Sequence, residues 1–304
     1  MVLSAWVFLT LAKLAWDAHY FDGYDPTIPL NIVIRSEEDR PAYHRIHFNY
    51  DAYRGKAVPA LLALPREIKS PIAAIVFLHG IGQDKEFLDE IAEPFTKAGF
   101  ALVSFDQYMQ GERKLKNAGI LERALALRER GKMTIIEARR LADYLQARPD
   151  IAKDRIYLIG ASYGAITGAT AAALDTRFRA VSLVYGGGDL RKLMRSRDVS
   201  KSAGAFHGLA ASFTQWWLGV GDPIRYVDRI SPRPIFFQNG DRDRIVVPEA
   251  AKALYDAAKQ PKEIKWYPSD HLDLNPEYIP IAVQDGVEWF KVQDAKIAAL
   301  SGQP

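Results

Sequence analysis

The chain has 304 residues, with 40 Lys+Arg against 37 Asp+Glu, a formal net charge of +3 and no cysteine. That length fits one domain carrying an insertion better than two equal domains, so residues 1–304 are predicted to form a single domain. Charges of both signs are scattered without a long basic run, which argues against nucleic-acid binding and favours a small-molecule ligand. Without cysteine there is no disulfide or thiolate nucleophile, a composition compatible with a reducing compartment such as the cytoplasm.

The chain begins with an apolar stretch, residues 1–16, whose single charge is Lys13. This pattern lacks the charge placement and cleavage site of a secretory signal, and it is too short to span a bilayer. We predict a packed helix within an N-terminal helical and extended segment, residues 1–40. Because Trp6 and Trp16 leave little polar face, the alternative is a helix that contacts a membrane surface or a second copy in a homo-oligomer.

The next pattern is a pair of β-like runs, residues 45–50 and 57–64, which predicts an antiparallel hairpin at a sheet edge. Beyond it, short apolar runs are separated by longer amphipathic ones. Strands buried on both faces have continuous apolar sequences, so this pattern predicts a mostly parallel sheet covered by helices on both faces. The further predicted strands are residues 73–78, 101–105, 156–159, 180–185, 234–238 and 264–266, and the predicted helices are residues 85–98, 134–147 and 249–259.

The stretch between the predicted strands 180–185 and 234–238 is far longer than one crossover helix needs. We therefore predict a cap-like helical insertion over residues 189–229. Its aromatic side chains either form the small core of that appendage or line a substrate pocket. The candidate pocket residues are Phe206, Phe213, Trp216 and Trp217.

Residues 160–164, Gly-Ala-Ser-Tyr-Gly, join a predicted strand to a small-residue run that is typical of a helix. A sharp turn from strand to helix holds its apex residue in a strained conformation with the side chain exposed, and flanking glycines supply the room. The following helix directs free N–H groups and the positive end of its dipole at the apex. Ser162 is thus a candidate nucleophile and the Tyr163 N–H a candidate oxyanion donor. The alternative is that these small residues only allow close packing of helix on sheet.

A serine hydroxyl needs a base within reach and an acid that orients the base. The loop after the strand 234–238 carries Asp241 and Asp243, and the loop after the last predicted strand carries His271. Catalytic groups collect at the carboxyl edge of open α/β sheets, so both loops are expected to converge on Ser162. No histidine and carboxylate set has metal-ligand spacing, and we predict no metal and no cofactor.

This order of serine, acid and histidine resembles the α/β-hydrolase superfamily, and more narrowly its single-domain serine esterases related to dienelactone hydrolase and to the prolyl-oligopeptidase-like esterases. Each motif is loose, but all occur in the expected order and strand context over roughly residues 45–292. The matching motifs are His79-Gly80-Ile81-Gly82, Gly160 through Gly164, Gly240 through Asp243 with Ile245 to Pro248, and Asp270-His271.

The resemblance implies an α/β-hydrolase fold in which Ser162 is the nucleophile and His271 the general base and then acid. In the family's Gly-x-x-Asp pattern the acid stands three residues after the glycine, which favours Asp243 over Asp241. The resemblance also places the second oxyanion donor on the backbone N–H of Ile81.

These implications predict a cofactor-free carboxylic ester hydrolase that forms an acyl-enzyme. The many bulky aromatic residues near the expected site favour small or short-acyl esters. A peptidase or thioesterase on the same triad is the first alternative, because all of these reactions pass through the same kind of tetrahedral intermediate. A non-catalytic ligand-binding homologue is the alternative from another class.

Overall fold

The computed structural model describes residues 2–68, 71–194 and 207–301. Within these residues nine strands form one sheet: β1 (Val33–Asp39), β2 (Tyr43–Asp51), β3 (Ala57–Pro65), β4 (Ile72–Leu78), β5 (Ala101–Phe105), β6 (Ile151–Ala161), β7 (Phe178–Val184), β8 (Ile235–Gly240) and β9 (Lys262–Tyr267). Their order across the sheet is β1-β2-β3-β5-β4-β6-β7-β8-β9. The β1-β2, β2-β3 and β3-β5 pairs are antiparallel, and every pair from β5 to β9 is parallel.

Helices cover both faces of this sheet. They are α1 (Val2–Ala18), α2 (Leu88–Lys97), α3 (Ile120–Ala147), α4 (Tyr163–Leu174), α5 (Leu190–Leu193), α6 (His207–Leu218), α7 (Pro248–Ala257) and α8 (Ile279–Ser301). Helices α3, α4 and α7 contribute to the core on one face, whereas α2 and α8 contribute to the core on the other. The predicted parallel sheet between two helical layers is confirmed.

The continuous apolar sequence of the central strands follows from this double cover. In β4, Val76 and Leu78 belong to the core under α3 and α4, while Ile75 and Phe77 belong to the core under α2 and α8. Successive side chains of a strand point to opposite faces, so a strand buried on both faces must be apolar at every position. All of β5 and nearly all of β4 are buried for this reason.

Three parts of the fold differ from the sequence predictions. Strand β1 lies outside the predicted hairpin and forms the sheet edge, and all seven of its residues are exposed, so it has no apolar pattern to detect. Helix α3 begins at Ile120, 14 residues before the predicted start. The first turns of this helix were not predicted because they are exposed and so have no buried apolar face. Helix α8 was not predicted from the sequence. It forms a wall of the cavity beside Ser162.

The N-terminal helix packs on the predicted insertion and on α3. Arg128 of α3 donates a hydrogen bond to Asp17 at 2.5 Å, and Trp16 meets Trp217 of α6 edge to face at a ring distance of 5.5 Å. The Lys13 ammonium lies 5.3 Å from the centre of the Trp216 ring. The N-terminal helix, which the sequence predicts to be packed, thus contacts α3 and α6 through specific side chains. Across the described ranges, every helix is too short or too polar to cross a membrane.

Candidate active site

Ser162 occupies the turn between β6 and α4 with φ 53° and ψ −115°, a region that side-chain-bearing residues rarely adopt. The flanking glycines leave room for this turn. A Cβ at Gly160 would lie 2.2 Å from the Gly164 carbonyl oxygen, and a Cβ at Gly164 would lie 1.9 Å from the Leu78 carbonyl oxygen. Neither position admits a side chain, so both glycines are required for the close approach of α4 to β4 and β6.

Ser162, His271 and Asp243 form a hydrogen-bonded chain. The distance from Ser162 Oγ to His271 Nε2 is 3.0 Å, and His271 Nδ1 lies 2.7 Å from Asp243 Oδ2. A carboxylate only accepts hydrogen bonds, so Nδ1–H donates to Asp243 and Nε2 is left to accept from the serine hydroxyl. His271 and Asp243 are both buried, whereas Ser162 remains partly exposed.

Asp243 is held by its own loop. Its Oδ1 accepts hydrogen bonds from the backbone N–H groups of Ile245 at 2.8 Å and Val246 at 2.7 Å, which leaves Oδ2 for the imidazole. Asp241, the rival acid in the sequence, points elsewhere. Its side chain is half exposed and lies 3.6 Å from Arg242. The geometry therefore favours Asp243 as the partner of His271.

The loop that carries His271 is fixed by Asp270 and by the ring of Tyr185. Asp270 accepts hydrogen bonds from the backbone N–H groups of Arg244 at 2.9 Å and His271 at 2.8 Å. Burial raises the pKa of Asp270, but these two hydrogen bonds and the Arg244 side chain outweigh burial and lower it. Tyr185 packs edge-on against the His271 ring and bonds the Ser269 hydroxyl. The loop held by Asp270 and the ring of Tyr185 thus fix the imidazole from two sides.

Two backbone N–H groups beside Ser162 have no acceptor among the described residues. The Gly80 N–H donates to Gln83 Oε1 at 2.9 Å and the Gly82 N–H to Gln110 Oε1 at 2.7 Å, which leaves the Ile81 N–H between them unpaired. The Tyr163 N–H, at the first residue of α4, is likewise unpaired. Gly80 lies against the serine, since a Cβ there would be 3.4 Å from Ser162 Cβ.

His79 is anchored in the core beneath this loop. Its ring nitrogens lie 3.0 Å from the Gly80 carbonyl oxygen and 3.2 Å from the Phe105 carbonyl oxygen. Burial lowers the pKa of His79 against the opposing effect of these two carbonyls. A buried imidazole that lies between two backbone carbonyls anchors the loop. Within the described ranges, His, Asp and Glu side chains form no group of three that could hold a metal ion.

An ionic cluster braces the loop that carries Ile81. The fully buried carboxylate of Asp106 accepts hydrogen bonds from the Lys85 backbone N–H at 3.0 Å and from the Glu112 backbone N–H at 2.9 Å. The Lys85 ammonium lies 3.2 Å from Asp106 and 2.8 Å from Glu112, and Arg35 also binds Glu112. Burial raises the pKa of Glu112, but Lys85 and Arg35 outweigh burial and lower it to about 2.

Replacing Glu112 with glutamine should therefore lower stability in a pH-dependent way. A depressed folded-state pKa stabilises the folded protein fully above the unfolded value of 4.5, and this contribution is lost as the pH falls towards about 2. Because Glu112 is 43% exposed, the effect at pH 7 should be roughly 2 °C in the unfolding midpoint. Thermal unfolding at pH 7 and pH 3 measures it. The control Glu93→Gln, at an exposed pair with Lys97, should change neither midpoint. An equal loss at both pH values would contradict a charge effect.

An apolar cavity opens beside Ser162, between the sheet and helices α2 and α8, and we call it the α2/α8 cavity. Ser162, Gly80 and His271 lie at its catalytic end, and the rest of its wall is mostly apolar. None of the aromatic residues predicted to line a pocket and described here, Phe213, Trp216 and Trp217, belongs to this wall. They stack on one another in α6, next to α1. Phe206 lies outside the described residues.

This architecture defines the class of protein. A mostly parallel sheet between two helical layers, with a strained serine at a strand-to-helix turn and the partner acid and histidine on later strand ends, is the α/β-hydrolase fold. More narrowly, residues 58–282 match the dienelactone hydrolase family, and the chain belongs to that family. It is therefore a hydrolase of carboxylic esters, as the sequence motifs predicted.

Individual proteins similar to this chain are also hydrolases by name. The hydrolase YtaP of Bacillus subtilis is 25% identical over 215 residues, covering 64% of this chain and 69% of that protein. The esterase YjfP of Escherichia coli is 22% identical over 244 residues, covering 74% and 93%. The crystal structure of acetyl xylan esterase 1 from Thermoanaerobacterium sp. superposes with a TM-score of 0.67 at 19% identity, covering 91% and 93%. The structural match, at that identity, supports the fold.

Proposed function

We propose that the chain hydrolyses small-molecule carboxylic esters through a Ser162-His271-Asp243 triad and an acyl-enzyme intermediate. The observation that carries the proposal is the continuous hydrogen-bonded chain from Asp243 Oδ2 through His271 to Ser162 Oγ, which ends at the mouth of an apolar cavity. The base is oriented by the acid, and the nucleophile is within reach of the base, as nucleophilic catalysis requires.

In the first half of the reaction, Ser162 Oγ bonds to the ester carbonyl carbon while its proton passes to His271 Nε2. The carbonyl electron pair moves to oxygen, and the unpaired N–H groups of Ile81 and Tyr163 are the donors that would stabilise this oxyanion. The bond to the alcohol oxygen then breaks. The alcohol takes the proton from His271 Nε2, and the acyl group remains on Ser162.

In the second half, water replaces the alcohol. His271 Nε2 takes one proton from this water as its oxygen bonds to the acyl carbon, and a second tetrahedral oxyanion forms in the same place. When the intermediate collapses, Ser162 Oγ leaves and recovers its proton from His271. The products are one carboxylic acid and one alcohol, and the enzyme returns to its starting state.

A fluorophosphonate that labels activated serines tests this proposal. We expect covalent labelling of Ser162 and hydrolysis of p-nitrophenyl acetate and butyrate by the wild-type protein. Because the similar solved structures include acetyl xylan esterases, an acetylated carbohydrate belongs in the same substrate panel. A folded protein that takes up no label and hydrolyses no ester would be a non-catalytic homologue, and the proposal would be wrong.

The same triad can cleave thioesters and amides, so the leaving group needs its own comparison. Esters, thioesters and aminoacyl anilides with the same acyl group should be assayed together. We expect the ester to have the largest kcat/KM and the anilide the smallest. A larger kcat/KM for the anilide or for the thioester would replace the esterase proposal with a peptidase or a thioesterase.

A further inference from the structure

The α2/α8 cavity is a slot whose two facing walls are formed by helices α2 and α8. Helix α2 and the turn before it contribute Phe87, Ile91 and Phe95, which are spaced by four residues and share one helix face. Helix α8 contributes Ile279 and Gly286 on the opposite wall. Both helices follow loops of the catalytic centre, so their N-terminal ends lie near Ser162 and their later turns lie deeper. Phe87 to Phe95 spans eight residues, about 12 Å along a helix.

The deep end of the slot is closed by Phe95, Gly286 and Gln238. A Cβ built on Gly286 would lie 3.8 Å from Phe95 Cζ and 3.8 Å from Gln238 Oε1, in ordinary contact with both. Glycine weakens the interior of a helix relative to alanine, and α8 carries this glycine as its eighth residue. Its lack of a side chain leaves space at the inner end of the slot that a larger residue would fill.

The volume of the slot limits what it can hold. The space open to water-sized groups is about 60 Å³. That is room for only a few water-sized groups. A short unbranched alkyl chain therefore suits the slot better than a long or branched one.

The polar groups of the inner end satisfy one another. The Ser182 hydroxyl donates to Gln238 Oε1 at 3.1 Å, and the Gln238 amide donates to the Tyr267 hydroxyl and the Ala282 carbonyl oxygen, each at 2.8 Å. No lysine or arginine contributes to the described wall. Because Ser182 and Gln238 already donate to other protein groups, a chain ending in a negative charge would find no free donor at this end of the slot.

We infer that the α2/α8 cavity binds the acyl chain of esters of short, uncharged, unbranched acids, and that Gly286 and Phe95 set the limit of chain length. This inference rests on the proposed esterase function. The alcohol must leave before water enters, whereas the acyl group stays on Ser162 through both halves of the reaction. A slot with a closed end suits the part that stays.

The test is Gly286→Leu with p-nitrophenyl esters from acetate to decanoate. The wild-type kcat/KM should be largest at butyrate or hexanoate. A leucine side chain would fill the inner end, so kcat/KM for hexanoate should fall about 10- to 100-fold, while that for acetate should stay within about twofold. The control Val292→Leu, at an exposed position of the same helix, should leave the whole profile unchanged. An unchanged profile in Gly286→Leu would overturn the inference.

A second variant keeps the test decisive if Gly286→Leu fails to fold. Phe95→Leu shortens the opposite side chain at the closed end, and the optimum should move to longer acyl chains. Acetate esters with alcohols of increasing length complete the design, and both variants should treat them as the wild type does. If the variants change the alcohol series and leave the acyl series unchanged, the slot holds the alcohol and the inference is wrong.

The outcomes also separate this inference from the proposed function. Hydrolysis that needs Ser162 but shows no effect of Gly286→Leu or Phe95→Leu on chain length refutes only the role of the slot. A wild-type protein that hydrolyses no acetate or butyrate ester refutes the esterase proposal itself.

Discussion

Ser162→Ala should lower kcat for p-nitrophenyl butyrate by roughly 10⁴-fold or more, because no other hydroxyl is hydrogen-bonded to His271 Nε2 in the described part of the chain. The backbone oxyanion donors and the cavity remain, so substrate should still bind and KM should change little. Measuring kcat and KM separately distinguishes loss of the nucleophile from loss of the site. Fluorophosphonate labelling should disappear with the activity.

Ser104→Ala is a matched control for this variant. Ser104 is fully buried in β5, and its hydroxyl has no hydrogen-bond partner among the described residues, so alanine removes one oxygen from a strand without breaking a hydrogen bond there. We expect wild-type kcat and labelling from this variant. Both proteins should unfold thermally near the wild-type midpoint. If Ser162→Ala retained more than a tenth of the wild-type kcat, another group would be the nucleophile.

The serine turn could be predicted from the sequence because its cause is local. Gly160 and Gly164 are required by the approach of one helix to one strand, and both lie within two residues of Ser162. The sheet could also be predicted from the sequence, because a strand buried on both faces must be apolar throughout. The prediction of Asp243 over Asp241 rested on family spacing, and only the folded loop shows that Asp243 faces the imidazole.

The α2/α8 cavity could not be predicted in this way. Its walls come from α2 and α8, whose sequences are separated by almost two hundred residues and whose apolar faces look like ordinary core. The aromatic residues of α6 were predicted to line a substrate pocket because they are concentrated in one segment. In the fold they pack against α1 and one another, with Phe213 exposed to solvent. Composition indicates that a segment is apolar, but only the tertiary arrangement decides what it faces.

Asp243→Asn should lower kcat by about 10⁴-fold while the site keeps its shape. Asparagine can still accept from the Ile245 and Val246 N–H groups through its carbonyl oxygen, so the loop should stay in place. Its amide NH₂ would then face His271 Nδ1. The imidazole would have to accept there and carry its proton on Nε2, where it can no longer accept the proton of Ser162. KM should change little, and the thermal midpoint should remain close to that of the wild type.

Asp241→Asn and Asp270→Asn are matched controls, since each replaces one carboxylate in the same pair of loops. Asp241 is half exposed and bonds neither His271 nor Ser162, so its variant should keep kcat within about twofold. Asp270 holds the backbone N–H groups of Arg244 and His271, and asparagine can keep accepting them, so a loss of less than about tenfold is expected. If Asp241→Asn lost as much kcat as we expect from Asp243→Asn, the orienting acid would be Asp241. Three kinetic profiles thus decide between three carboxylates that lie within thirty residues of one another in the sequence.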